Sequence, residues 1–171
     1  MNQLINDREA SEKIITQLIT THHLLNSNAF LENSSWSPII DDDFKTMIQD
    51  ELKIEDINHL NFQLKLFKDF KINPELINSK TIITNDEFNN FVKLTHLVKN
   101  EDYSYIDWLE KKNCKYGFSS ISKPIFNESY TVALIDFVKF CGPLCGGRMM
   151  GIYELEDNKW KLKKTLVNWI A

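Results

Sequence analysis

The residues best equipped for chemistry sit together in the run Cys141-Gly142-Pro143-Leu144-Cys145-Gly146-Gly147-Arg148. Two thiols at this spacing can bridge if their Cα atoms come within about 7 Å. They could also supply half of a zinc site, which wants four Cys or His ligands. There is no second cysteine pair, and His22, His23, His59 and His96 lie far off in helical segments, so no metal is assigned. A redox pair would ordinarily be CxxC at a helix N-terminus, where the dipole lowers the thiol pKa. This run has no such context, and the simplest role for Cys141 and Cys145 is that of small apolar residues in a tight corner. Gly142, Gly146 and Gly147 could cradle an anion through backbone N–H groups, with Arg148 as a side-chain ligand. No helix follows, so this is neither a P-loop nor a dinucleotide fingerprint. Turn geometry alone would ask for such glycines.

Asp136 interrupts an otherwise apolar strand. A buried carboxylate there could act as acid or base, but a cross-strand pair with Arg148 or a lysine is the favoured reading. Only one of His22 and His23 can face a core from one helix. Cys114 stands beside Lys115, which could activate it, yet no other nearby residue suggests a nucleophile site. Trp36, Trp108, Trp160 and Trp169 read as core and interface anchors.

These residues need a scaffold, and its outline is legible. Asn6 can cap a helix from about Asp7 to Leu25, with Glu9 as capping-box partner. Its apolar face is Ile14, Ile15, Leu18, Ile19, His22 and Leu25. Residues 26–40 read as a loop. A second helix spans Asp42 to about Leu52, its start favoured by acids at 41–43. A third runs from about Glu55 to Phe70, with Ile57, Leu60, Leu64 and Phe67 in one stripe. Pro74 starts a short turn or helix, and Thr81-Ile82-Ile83 a short strand. Asn85 and Ser104 can cap two more helices, reaching Val92 or beyond and Lys111.

From Phe118 the apolar period becomes two. Strands are expected at 118–126, 130–140, 148–156 and 159–169. Asp157-Asn158 suits a type I′ turn, which sets Glu156 opposite Lys159, Leu155 opposite Trp160, Glu154 opposite Lys161 and Tyr153 opposite Leu162. Charged and apolar pairs then sort onto opposite faces. The strand Tyr130–Phe140 is apolar on both sides and should be central.

The chain has 171 residues, which favours one domain: a helical part over about 1–112 and a meander over about 118–171. At 43% hydrophobic and 26% charged it can build a core without disulfides or metal. A net charge of -4 argues against a nucleic-acid partner. No apolar stretch approaches the roughly 20 residues of a membrane span. The first residues lack a basic region followed by an apolar core, so no signal peptide is expected and the cytoplasm is the default compartment.

The run from Trp108 through Lys115-Tyr116-Gly117, Ser122-Lys123-Pro124-Ile125-Phe126, Ala133-Leu134, the Cys141–Gly147 turn, Trp160-Lys161 and Trp169-Ile170 resembles a family of uncharacterised bacterial proteins ending in a CGxLCGxG…W…WI block. The resemblance covers about 105–171 and extends faintly to Gln63–Phe70. Some members carry other small residues at the positions of Cys141 and Cys145, which weighs against an obligatory thiol role. Arg148 stands where the block would lead one to expect a glycine. The family carries no established activity, so the resemblance implies no catalytic residue.

The expected fold is α+β, with N-terminal helices packed on a C-terminal antiparallel meander of about four strands, by analogy cystatin-like or NTF2-like. The expected function is a non-catalytic binding or protein-interaction module without cofactor. Its protein or small-molecule partner would meet Asp136, Cys141, Gly142, Cys145, Gly146, Gly147 and Arg148. Two alternatives stand beside it. One is a small hydrolase in which Asp136, Arg148 and a histidine share a pocket. The other is a thiol switch through Cys141 and Cys145.

Overall fold

The computed structural model describes residues 2–34, 38–77, 80–97, 103–112, 114, 117–142 and 145–170. Trp36, Lys115, Pro143 and Leu144 lie outside them, as do the side chains of His96, Tyr105 and Ile106. The described residues form an α+β fold of five α-helices and one seven-stranded sheet. The helices are α1 (Asn2–Thr21), α2 (Asp42–Leu52), α3 (Ile57–Lys68), α4 (Asn85–Leu97) and α5 (Tyr103–Lys111). The strands are β1 (Ala29–Leu31), β2 (Thr81–Ile83), β3 (Phe118–Ile121), β4 (Ile125–Phe126), β5 (Val132–Gly142), β6 (Cys145–Glu156) and β7 (Lys159–Ile170).

The sheet runs β2-β1-β3-β5-β6-β7, with β4 also paired to β5. It is mixed, which corrects the expectation of a four-stranded meander. β1 is parallel to both β2 and β3, and the remaining pairs are antiparallel. The stretch expected to be loop contains β1, whose three residues are all buried. A strand buried on both faces shows no alternation, so Ala29-Phe30-Leu31 carries no period-2 signal.

The β6–β7 hairpin has the register the sequence dictates. Glu156 faces Lys159, Leu155 Trp160, Glu154 Lys161 and Tyr153 Leu162. Asp157 and Asn158 both take positive φ, 49° and 60°, as a type I′ turn requires. Farther along, the register shifts between Met150 and Gly151 and again between Ile152 and Tyr153. These bulges and four lysines blunt the outer edge of β7, a recognised defence against edge-to-edge association.

β5 is central, as expected, and residues 133–138 are all buried. Helices cover both of its faces. Ile135 and Phe137 join Ile14, Ile15 and Leu18 of α1. Leu134 joins Ile48 of α2 and Leu60 and Leu64 of α3. A third cluster sets Leu109 and Cys114 against Ala29, Leu31, Ile83 and Phe118.

Helix α1 begins at Asn2, so Asn6 lies inside it and is not its cap. Tertiary contacts hold this first turn: Gln3 Nε2 donates to His59 Nδ1 at 2.9 Å, and Tyr130 Oη donates to Gln3 O at 3.1 Å. The helix stops at Thr21, and His22 caps a 3-10 turn over His23–Leu25. Asp41 and Asp56 cap α2 and α3. Ile57, expected in the buried stripe of α3, is exposed. At α4 the capping box is formed by Thr84 and Glu87, one residue before the expected Asn85: Thr84 N donates to Glu87 Oε2 at 2.9 Å and Glu87 N to Thr84 Oγ1 at 3.3 Å.

Candidate functional site

The corner marked by the cysteines joins β5 to β6. Cys141 and Cys145 form a disulfide with Cα atoms 5.0 Å apart, and Gly142 pairs with Cys145 across the ladder. With the thiols joined, neither is available as a metal ligand. No group of three His, Cys, Asp or Glu among the described residues is placed to hold a metal ion. Gly146 and Gly147 are strand residues without positive φ, so turn conformation does not explain them. Close approach does. A Cβ on Gly146 would lie 2.9 Å from Lys139 O, and one on Gly147 would lie 2.9 Å from Leu24 Cδ2 and 3.2 Å from Trp169 O. Among the described residues, the one glycine with positive φ is Gly117 (φ 86°), where a Cβ would meet Phe140 O at 1.9 Å.

Asp136 and Arg148 stand on adjacent strands and meet fork to fork. Arg148 Nε donates to Asp136 Oδ1 at 3.0 Å and Nη2 to Oδ2 at 2.9 Å. Burial pushes the Asp136 carboxyl above its ordinary value, and the guanidinium pulls it back. The two groups satisfy each other, which is the cross-strand pairing favoured from sequence. No described histidine joins them. His22 packs edge-on against Phe137, on the opposite face of β5, and stacks on His23. His59 donates from Nε2 to Phe126 O at 2.9 Å and faces Tyr130. Cys114 is buried, its thiol donates to Lys112 O, and desolvation pushes it up to about 11, the reverse of activation. None of the cavities described below is lined by a residue of the corner.

The structure brings together a different set of residues. Asp7 and Ser11 lie one turn apart on α1, at the N-terminal end of the stripe that continues as Ile14, Ile15 and Leu18. Gln63 of α3 and Lys123, between β3 and β4, complete the group. Lys123 Nζ donates to Asp7 Oδ2 at 2.9 Å, Gln63 Oε1 at 3.2 Å and Pro124 O at 2.7 Å, so all three of its protons are placed. Gln63 Nε2 donates to the same Asp7 Oδ2 at 2.7 Å, and Phe126 N donates to Gln63 Oε1 at 3.2 Å. The Lys123 and Asp7 side chains are 5% and 4% exposed, which makes this a buried ion pair. Desolvation lowers the lysine to about 8, and Asp7 works against that shift.

Two cavities flank the pair. One, of about 320 Å³, opens between α1 and the segment from Leu66 to Leu76. Its walls include Ile15, Leu66, Phe70 and Leu76, with Asp7, Ser11 and Lys123 among the polar lining groups. The other, of about 370 Å³, lies beyond Phe70 and Lys123, toward Asn33, Ser34 and Ile40. A third, of about 680 Å³, lies farther along α1 beside Trp160 and Leu155. In the first, Ser11 Oγ is buried without a hydrogen-bond partner.

Four polar residues in apolar patterns are the signal that points here. Asp7 and Ser11 continue the helical stripe of α1, Gln63 sits beside Leu60, Leu64 and Phe67, and Lys123 breaks a period-2 run. No family model matches this chain, and no curated protein or solved structure matches it at a significant level.

Proposed function

We propose that this chain is a non-catalytic binding domain whose small-molecule ligand occupies the cleft between α1 and the Leu66–Leu76 segment. The observation that carries the reading is the combination found there. An apolar-walled cavity of about 320 Å³ contains the orphaned Ser11 Oγ and borders the buried Asp7–Lys123 pair. Ligand sites are typically concave and apolar, with a few convergent polar groups. Catalysis finds less support. Lys123 has no proton or lone pair to spare, and Asp136 and Arg148 are each other's partners.

The test is a small-molecule screen by thermal shift against the wild-type chain and Leu66→Trp, which fills the cavity from a half-buried helical position. A ligand present at 100 times its dissociation constant adds about 2.7 kcal/mol, and Leu66→Trp should abolish that shift. Ligands that stabilise both proteins equally would place the site elsewhere.

The disulfide favours a second reading, the thiol switch, and it bears on compartment. Cys145 is exposed, so the bridge is open to reductants. Bridges persist in oxidising surroundings and are usually transient in a reducing cytoplasm. Reaction of the native chain with glutathione buffers of graded potential, followed by mass analysis, tests both points. A bridge still closed at cytosolic potentials would rule out the switch.

A further inference from the structure

Resting on the binding reading above, we infer that the cleft beside α1 takes a small ligand built as a primary ammonium group on an apolar body, with the ammonium held by Asp7 Oδ1 and Ser11 Oγ. Asp7 and Ser11 are four residues apart on α1 and present their side chains to the same cavity. Asp7 Oδ2 already accepts from Lys123 and Gln63, while Oδ1 takes no hydrogen bond among the described residues. Ser11 Oγ is buried and equally without a partner. A carboxylate oxygen and a hydroxyl one helical turn apart can together accept from an ammonium, which carries three donors and no acceptor.

The charges around the cavity point the same way. Asp7, Glu12 and Asp69 line it against Arg8, Lys71 and Lys123. Lys71 is committed to Glu32 at 2.7 Å and Lys123 to Asp7 at 2.9 Å. Glu12 and Asp69 then face Arg8 alone, which leaves the mouth with an excess of negative charge and disfavours an anionic ligand. Ile15, Leu66, Phe70 and Leu76 supply an apolar wall, and Leu4 stands at the mouth. Leu4 is 56% exposed and can cover a bound apolar chain. Lys123 shares Asp7 with the incoming cation. The two cations take opposite oxygens of the carboxylate, Lys123 on Oδ2 and the ligand on Oδ1.

The experiment is a calorimetric and amide-NMR titration of the full chain at pH 7 with hexylamine, 1-hexanol and hexanoate. The variants are Ser11→Ala, Glu12→Gln and Leu66→Trp; Asp7→Asn is avoided because it breaks the buried pair. Hexylamine should bind about tenfold tighter than 1-hexanol, since charge-assisted hydrogen bonds are roughly twice as strong as neutral ones, and hexanoate should bind weakest. Ser11→Ala and Glu12→Gln should each weaken hexylamine severalfold while leaving 1-hexanol nearly unchanged. Leu66→Trp should remove all binding. If 1-hexanol matches hexylamine, or hexanoate exceeds it, the ammonium inference is wrong and the binding reading survives. If none of the three perturbs amides around Ile15 and Phe70, both fail together.

Discussion

Replacing Lys123 by methionine tests how the structure's central polar group is held. The substitution keeps most of the side-chain volume and removes the charge. It strips Asp7 of its cationic partner, leaving only Gln63 as a donor to a carboxylate whose side chain is 4% exposed. It also deletes three hydrogen bonds from Nζ. Hydrogen bonds to charged groups are worth about 1.5–3 kcal/mol each, but Pro124 O and Gln63 Oε1 can regain part of that by relaxation. Breaking a buried pair from one side generally costs about 3–5 kcal/mol, and that range is expected here. With a urea m-value of about 2 kcal/mol/M, the midpoint falls by about 1.5–2.5 M. The double variant Asp7→Leu/Lys123→Met removes both charges and should lose no more than about 1 kcal/mol, because replacing a whole buried pair by apolar groups is often neutral. The coupling between the two sites is then several kcal/mol. A Lys123→Met loss below about 1 kcal/mol, or single losses that simply add in the double variant, would refute the buried-pair account.

The same lysine predicts a pH dependence. Its folded pKa of about 8 lies below the unfolded lysine value of about 10.4, so between those limits the unfolded chain binds more protons. Unfolding free energy should therefore gain a positive slope above pH 8. Denaturation at pH 7.5 and 9.5 should show it in the wild type, and an equal slope in Asp7→Leu/Lys123→Met would assign it to other groups. The Cys141–Cys145 bridge closes a loop of about five residues, for which chain entropy gives about 2 kcal/mol. Cys141→Ser/Cys145→Ser should lose that much in non-reducing denaturation, and the wild type should gain two hydrogens in mass on reduction. Gly117→Ala should cost more than about 2 kcal/mol, combining positive φ with a backbone clash at Phe140 O. Gly147→Ala should cost less, because its nearest obstacle is the movable end of Leu24; equal losses would discredit the steric argument.

What the sequence revealed was what local rules govern. The type I′ turn at Asp157-Asn158 fixes its own backbone, and the register from Glu156–Lys159 to Tyr153–Leu162 follows residue by residue. The acids at 41–43 mark the start of α2 for reasons contained within one turn, and Asp41 caps it. Asp136 and Arg148 could be paired because the hairpin between them is short. β1 was hidden because its three buried residues are supported by partners near 81–83 and 119, which no local pattern records. The bulges of β7 were missed although the alternation begun by Trp160 and Leu162 breaks at Lys163-Lys164 and at Leu166-Val167, where the register shifts.

The break between β3 and β4 connects these two kinds of information. Period-2 reasoning runs one strand through 118–126, yet the ladder stops at Ile121 and resumes at Ile125. At the gap, Ser122 N donates to Asp136 O and Ser122 Oγ accepts from Asp136 N, so a side chain takes the place of a ladder carbonyl. Pro124 has no N–H to offer a neighbour. Freed from regular pairing, Lys123 turns inward to Asp7 and Gln63, residues 116 and 60 positions away along the chain. An irregularity in an otherwise orderly strand, occupied by a charged residue, is therefore the sequence-level mark of the cleft. The conspicuous cysteine corner drew attention for its residue types. The Ser122-Lys123-Pro124 step, whose residues look ordinary, is where the fold departs from regular pairing and gathers buried charge, as sites on rigid scaffolds commonly do.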